Sequence, residues 1–133
     1  MRNILASVII ILVVSDINTS MAQTLTFCKS VDKDGRAVNA AQEFTVAKDG
    51  GKVFFLLQLP ATIHPTAVSY DVYKIEKGKE VFSSTLKQPT TPNINWLSKE
   101  VTFYDPGSYR VYVYDDKDTP ITKATFTIKA SAN

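Results

Sequence analysis

The chain has very little of the chemistry that cross-links small proteins or binds metals. Its 133 residues include one cysteine, Cys28, and one histidine, His64. A single cysteine cannot form an internal disulfide, so packing must hold the fold together, unlike in the disulfide-dense secreted scaffolds. One cysteine and one histidine also cannot fill a structural zinc site. We therefore expect neither a metal nor a cofactor.

The chain also lacks the charge pattern of a nucleic-acid-binding protein. The formal net charge is only +2, and the sequence contains no block of lysines and arginines. Nucleic acids are bound by clustered basic faces, so we expect no nucleic-acid partner. No window shows apolar residues at the i, i+3, i+4 and i+7 spacing of a long amphipathic helix. The hydrophobic residues, 44% of the composition, must then form a core from strands.

The N-terminus has the pattern of a secretory signal peptide. Met1-Arg2-Asn3 carries a positive charge, residues 4–14 are almost wholly apolar, and residues 15–23 are small and polar. A charged start, an apolar stretch of about 7–15 residues and a small-residue cleavage site define such a signal. The apolar run is shorter than the roughly 20 residues that cross a bilayer, and an uncleaved anchor is the alternative interpretation. We predict a signal peptide over 1–22, cleaved after Ala22, and a single domain over 23–133.

Two absences in the predicted mature chain indicate a compartment. It contains no Asn-x-Ser/Thr acceptor for glycosylation and no pair of cysteines. Both absences favour a bacterial protein that is secreted or periplasmic. After cleavage of the signal, we expect no stable membrane span.

Short runs of alternating apolar and polar residues follow one another through the predicted domain, separated by turns rich in glycine, proline and aspartate. The run 52–59 is apolar on both faces, which is typical of a central strand or of one whose outer face is covered. Short strands at regular spacing predict a sandwich or barrel. We predict an all-β fold, an antiparallel sandwich of about seven to eight strands, over 24–29, 43–46, 52–59, 68–76, 80–86, 94–103, 109–114 and 119–129.

A turn followed by a strictly alternating strand lies near the C-terminus. Asp105 is placed to accept a hydrogen bond from a backbone N–H two residues on, Pro106 presets φ, and Gly107 supplies φ > 0. Successive strand residues point to opposite faces. Three alternate residues after the turn are therefore expected in the core: Tyr109, Val111 and Val113.

A tyrosine directly after such a turn resembles the tyrosine corner of immunoglobulin-like domains. In that corner the ring is buried and the hydroxyl bonds to the backbone a few residues upstream. The second disulfide cysteine would fall at Val111, so the resemblance is to cysteine-free sandwiches and not to antibody domains. Trp96 precedes the turn, whereas the hallmark tryptophan of true immunoglobulin domains lies on the third strand. The resemblance implies a bacterial secreted immunoglobulin-like domain, a group with adhesion, assembly or carbohydrate-associated roles.

The outer side of the same strand carries the candidate binding residues. Arg110, Tyr112 and Tyr114 share one face, which Lys123 joins if the last strand pairs alongside, and Tyr73 extends the patch. Aromatic and basic side chains on a flat sheet bind partners or stack on sugars, although exposed tyrosines are also ordinary cross-strand packing. We predict a non-catalytic binding or structural domain whose partner is another envelope or secreted protein or a glycan.

The alternative from another class is a small secreted, hydrolase-like enzyme with a site near His64. Neither His64 nor Cys28 lies in a recognisable nucleophile motif, and Cys28 has the pattern of a small buried hydrophobe on a strand. Segments 32–35 and 115–118 offer carboxylates to calcium, but neither continues to the bidentate glutamate of an EF-hand loop. Aspartate-rich hairpin tips are usually solvated turns.

Overall fold

A computed structural model describes residues 24–60, 63–93 and 95–131. The predicted signal peptide, residues 1–22, lies outside the described residues. Within the described ranges, no helix is long and apolar enough to cross a membrane. The chain there forms strands β1 (Thr24–Cys28), β2 (Ser30–Val31), β3 (Ala37–Val38), β4 (Glu43–Val46), β5 (Gly51–Gln58), β6 (Ala67–Glu76), β7 (Lys79–Pro89), β8 (Trp96–Phe103), β9 (Gly107–Asp115) and β10 (Pro120–Ala130).

Eight of these strands form two sheets. The larger sheet has the order β4-β10-β9-β6-β7 and the smaller has the order β1-β5-β8, while β2 and β3 form a separate hairpin. Neighbouring strands are antiparallel except for β4, which runs parallel to β10. This is the strand order of an immunoglobulin-like sandwich. The predicted all-β fold of seven to eight strands is confirmed, with the β2–β3 hairpin added to it.

Aromatic rings from both sheets meet in the core. The ring centroid of Phe126, on β10, lies 4.4 Å from that of Phe27, 5.1 Å from that of Phe103 and 5.6 Å from that of Tyr109. All four side chains are 7% accessible or less. Aromatic pairs at such distances contribute about 0.5–1.5 kcal/mol each beyond the area they bury, so Phe126 is a main point of attachment between the sheets.

The corner before β9 contains the hydrogen bond that the immunoglobulin resemblance implies. Tyr109 is 4% accessible, and its hydroxyl donates to the backbone carbonyl of Asp105 at 2.7 Å. Burial raises the pKa of this hydroxyl. Val111 and Val113, 0% and 1% accessible, point into the core as predicted.

The turn itself differs from the prediction in one respect. Gly107 does adopt a positive φ, of 149°, and a Cβ there would lie 2.8 Å from Cε of Lys74. That φ is far from the roughly +80° of a type II turn, so the corner is not a type II turn. The Asp105 side chain accepts no hydrogen bond from the described residues; the corner uses its backbone carbonyl instead.

The β2–β3 hairpin contacts β1 and β5 and covers the outer face of the three-stranded sheet. Cys28 and Leu56 point away from the main core, yet they are only 0% and 2% accessible. Trp96 lies flat against Gly35 at the hairpin tip, where a Cβ would come within 2.5 Å of the indole ring. The double-sided apolar pattern of residues 52–59 therefore reflects a strand that is central and packed on both faces.

A polar link connects the two sheets. Tyr70, on β6, is fully buried, and its hydroxyl donates to Oε1 of Gln88 at 2.8 Å. Nε2 of Gln88 in turn donates to the carbonyl of Ser98, on β8, at 2.8 Å. Burial raises the pKa of Tyr70 strongly. A buried polar group needs a partner, and Gln88 provides one for Tyr70 while bridging the sheets.

Candidate binding face on the five-stranded sheet

The register of three strands brings the predicted site residues together. Arg110, on β9, lies directly opposite Tyr73 on β6, and Tyr112 lies directly opposite Lys123 on β10. Tyr114 follows two residues further along the same face of β9. The predicted residues therefore share the outer side of the larger sheet. Whether they bind a partner stays a prediction.

Three aromatic rings cross this side in a row. Tyr73 lies between Phe82 of β7 and Tyr112 of β9, with ring centroids 5.6 Å and 5.4 Å away and interplanar angles of 76° and 86°. These are edge-to-face contacts, the arrangement that ring quadrupoles favour. Phe82 is 57% accessible at the edge of the sheet, so one large apolar side chain of the row faces solvent.

Glu80 fixes the polar groups beside this row. Its Oε2 accepts hydrogen bonds from the Tyr112 hydroxyl at 2.6 Å and from a guanidinium nitrogen of Arg110 at 2.5 Å. The two hydrogen bonds, first that from Tyr112 and then that from Arg110, lower the pKa of Glu80. The bond to Glu80 raises the pKa of Tyr112, and Arg110 Nε also donates to the Thr125 hydroxyl at 3.2 Å. The guanidinium is thus held in one position.

A shallow groove of about 440 Å³ lies at one end of the same side, lined in part by Tyr112, Tyr114 and Lys123. It forms where the β9–β10 register shifts between Val113 and Tyr114. A bulge of this kind bends a strand and re-aims its side chains. We call the set Tyr73, Glu80, Phe82, Arg110, Tyr112, Tyr114 and Lys123 the aromatic face.

Two members of the aromatic face, Glu80 and Phe82, were not among the predicted site residues. The signal for them was the turn Lys77-Gly78, whose residues have φ of 53° and 79°. A two-residue hairpin loop fixes the register of its strands, and counting outward from it places Phe82 opposite Tyr73, as observed. The sequence therefore contained the information that links Phe82 to the face.

Cys28 and His64, the residues considered for nucleophilic catalysis, are not brought together. His64 is exposed in the loop after β5, beside a depression of about 410 Å³. Cys28 pairs with Phe54, four residues before the end of β5 at Gln58, a separation of about 13 Å at 3.3 Å per residue. The Cys28 thiol donates to the Phe54 carbonyl at 3.7 Å, and burial raises its pKa, which disfavours the nucleophilic thiolate.

The two aspartate-rich tips form the same kind of loop. Oδ1 of Asp32 and Oδ1 of Asp115 each accept hydrogen bonds from the backbone N–H groups two and four residues further on, at 2.8–3.0 Å. Each loop then contains one residue with positive φ, Gly35 at 81° and Asp118 at 63°. These carboxylates hold turns. Over residues 24–60, 63–93 and 95–131, no three histidine, cysteine, aspartate or glutamate side chains are grouped to hold a metal ion.

Comparison with known proteins identifies no family. No protein-family model matches the sequence, and no curated protein matches it. A Niemann-Pick type C2 protein from the Japanese carpenter ant aligns with a TM-score of 0.46 and 11% identity, over 81% of this chain and 89% of that one. A CARDB domain from Pyrococcus furiosus, solved in complex with di-metal ions, aligns with a TM-score of 0.43 and 16% identity, over 84% and 96%.

A superoxide reductase (neelaredoxin) from Ignicoccus hospitalis aligns with a TM-score of 0.43 and 13% identity, over 68% of this chain and 76% of that one. All three TM-scores lie below 0.5. The assignment of the fold therefore rests on the strand order and register of this chain itself.

Proposed function

We propose that this chain is an exported, non-catalytic binding domain that recognises its partner through the aromatic face. The observation that supports the proposal is the row Phe82, Tyr73 and Tyr112, which crosses three strands beside a guanidinium held by Glu80. Tyrosine and arginine are enriched among the residues that dominate protein interfaces. The partner that this composition favours is another envelope or secreted protein, and a glycan is the second candidate because flat aromatic surfaces also stack on sugars.

The geometry reduces what binding would cost. Immobilising a long, rotamer-rich side chain on binding costs about 0.5–1.5 kcal/mol. Arg110 is already fixed by Glu80 and Thr125, although its side chain stays 38% accessible. Lys123 and Phe82 remain exposed on either side. A partner therefore meets a preset surface, with aromatic area at the centre and positive charge next to it.

The test compares variants of the face with a matched aromatic control. The purified protein is incubated with envelope extract and, separately, with immobilised peptidoglycan, chitin and cellulose. We expect Tyr112→Ala combined with Tyr114→Ala to reduce capture at least tenfold, with circular dichroism unchanged. Tyr104→Ala is the control, because Tyr104 is 60% accessible but lies outside the aromatic face.

The outcomes separate the proposals. Binding by the double variant equal to that of the unmodified protein would reject the aromatic face as the site. Capture from extract without capture on any glycan favours a protein partner, and the reverse favours a sugar. A hydrolytic activity that disappears in His64→Ala would support the enzyme alternative instead.

A further inference from the structure

β7 has one free side along its whole length. It is the last strand of the larger sheet, and among the described residues it pairs only with β6. Most of its 11 residues are exposed, and the neighbours Val81 and Phe82 are 45% and 57% accessible. A long edge strand with exposed apolar side chains is a ready template for another strand.

A β-bulge decides which backbone groups of β7 face the free side. The two-residue loop before β7 closes on the hydrogen-bonded pair Glu76 and Lys79. From there, hydrogen-bonded pairs alternate with non-hydrogen-bonded pairs along the β6–β7 ladder, and in the latter the β7 backbone groups point to the free side. The register shift beyond Phe82 leaves Ser83 as an extra residue, which reverses the alternation from there on. The N–H and C=O groups on the free side therefore belong to four residues: Glu80, Phe82, Thr85 and Lys87.

This set is complementary to itself. With a two-fold axis between Ser83 and Ser84, Glu80 of each copy lies opposite Lys87 of the other in an antiparallel pair. This register places opposite charges opposite each other. Because the bulge reverses the alternation, it also places side chains of the outer sheet face opposite side chains of the same face in the other copy. The other pairs are Ser83 with Ser84, Phe82 with Thr85, Val81 with Leu86 and Lys79 with Gln88.

β8, one of the two edge strands of the smaller sheet, does not have this property. β8 contains Lys99 and Glu100 at its middle and no register shift against β5. Suppose that two β8 strands pair antiparallel near their middle, with side chains of the same sheet face opposite each other. Either Lys99 then lies opposite Lys99 of the second copy, or Glu100 lies opposite Glu100. Like charges directly opposite each other destabilise a strand pair, so β8 is protected against self-pairing where β7 is not.

We propose that two copies of this chain associate through their β7 strands and join two five-stranded sheets into one continuous sheet. The contact is isologous, as in most two-fold dimers. The inference goes beyond the proposed function and does not depend on it. The two-fold axis is perpendicular to the joined sheet, so both aromatic faces lie on the same side. A partner with two sites would then bind both copies, and the second contact would raise the overall affinity.

Charge reversal tests the register. The mass of the purified protein in solution is measured by sedimentation equilibrium over a concentration series, for the unmodified chain, Lys87→Glu, Glu80→Lys and an equimolar mixture of these two variants. Each variant alone places like charges opposite each other twice per dimer. We expect each variant to weaken dimerisation at least about tenfold. A tenfold change in the dissociation constant corresponds to about 1.4 kcal/mol, and the two reversed pairs of each dimer together supply this cost.

The mixture is the decisive sample. The Glu80→Lys variant is positively charged at both paired positions and the Lys87→Glu variant is negatively charged at both. The heterodimer therefore regains both opposite-charge pairs and is expected to form. Glu100→Lys on β8 is the matched control and is expected to dimerise like the unmodified chain. An unmodified chain that is monomeric at about 1 mM, or a mixture that stays monomeric while the unmodified chain dimerises, would overturn the proposal.

Amide exchange gives a second measurement that needs no variant. In the dimer the N–H groups of Phe82 and Thr85 are bonded to the other copy, whereas in the monomer they face water. We expect their exchange to slow as the protein concentration rises, with no such change for the amides of β8. Dimerisation without slower exchange at Phe82 and Thr85 would show that another surface forms the contact.

Discussion

Replacing Tyr109 by phenylalanine tests the most specific structural inference drawn from the sequence. The change removes one hydroxyl and leaves the ring in place, stacked against Phe126 at a centroid distance of 5.6 Å. What is lost is the 2.7 Å hydrogen bond to the carbonyl of Asp105. The carbonyl then needs another donor, and the corner before β9 loses the side-chain hydrogen bond that holds it.

The expected cost follows from the position of the acceptor. Leaving a buried acceptor unpaired costs about 1–3 kcal/mol. Asp105 is exposed, so water reaches part of its surroundings and the cost should lie in the lower half, about 1–2 kcal/mol of unfolding free energy. For a domain of this size, that corresponds to a fall in Tm of about 4–8 °C.

Urea unfolding followed by circular dichroism measures this cost, with Tyr112→Phe as the matched control. Tyr112 also loses one hydrogen bond, to Glu80, but that bond lies on the accessible aromatic face, where we expect a change below about 0.5 kcal/mol. Equal effects at the two positions would refute the reasoning that the corner stabilises the fold. So would a change in the m-value at Tyr109, because the change in stability would then not be a simple two-state effect.

Three further predictions concern a tight contact, a loop and a titration. Gly35→Ala should cost about 2–4 kcal/mol in urea unfolding, because φ is positive and a Cβ would enter the indole of Trp96. Asp118→Gly should leave stability unchanged or raise it by up to about 1 kcal/mol, since φ there is 63°; a clear loss would contradict this. The phenol of Tyr112 should titrate above its ordinary value near 10, and its absorbance at 295 nm should shift to lower pH in Glu80→Gln.

The directions of the pKa shifts of Tyr112 and Glu80 determine the pH range over which their hydrogen bond stabilises the fold. The bond to Glu80 raises the pKa of Tyr112, so it stabilises the fold fully below the ordinary pKa of tyrosine and is lost as pH rises through the folded value. The pKa of Glu80 is lowered, so its contribution is present above the ordinary pKa of glutamate and is lost on acidification. The pair is therefore intact over the whole neutral range.

Much of the fold could be predicted from local chemistry. Alternation placed Tyr109 and Val111 in the core, and the aspartate turns at 32–35 and 115–118 were recognisable because an aspartate side chain can bond its own following backbone. The common face of Arg110, Tyr112 and Lys123 needed only one further assumption, that the last two strands pair. A short turn between two strands favours that hairpin.

The remaining features depend on contacts that no local pattern encodes. The parallel pairing of β4 with β10 joins segments more than 80 residues apart in the chain. Coverage of Cys28 and Leu56 by the β2–β3 hairpin depends on how Trp96 packs against Gly35. The hairpin register places Glu80 on the same side as Phe82. Its hydrogen bonds to Arg110 and Tyr112, however, run from β7 to β9, two strands that are not neighbours in the sheet, and no local pattern encodes them.

The parallel pairing of β4 and β10 has a mechanical consequence. Among the described residues three strands precede β4 and β10 is the last strand. A pull that reaches the start of β4 and the end of β10 therefore slides these two parallel strands along each other instead of peeling them apart. The backbone bonds Thr127 N–H to Gln42 carbonyl and Ser131 N–H to Val46 carbonyl, both 2.8 Å, lie at opposite ends of the pair, and the ion pair Lys129–Glu43 spans it at 2.8 Å. Such bonds bear load together and must break together, so the domain should resist extension better than a sandwich whose terminal strands open like a hairpin.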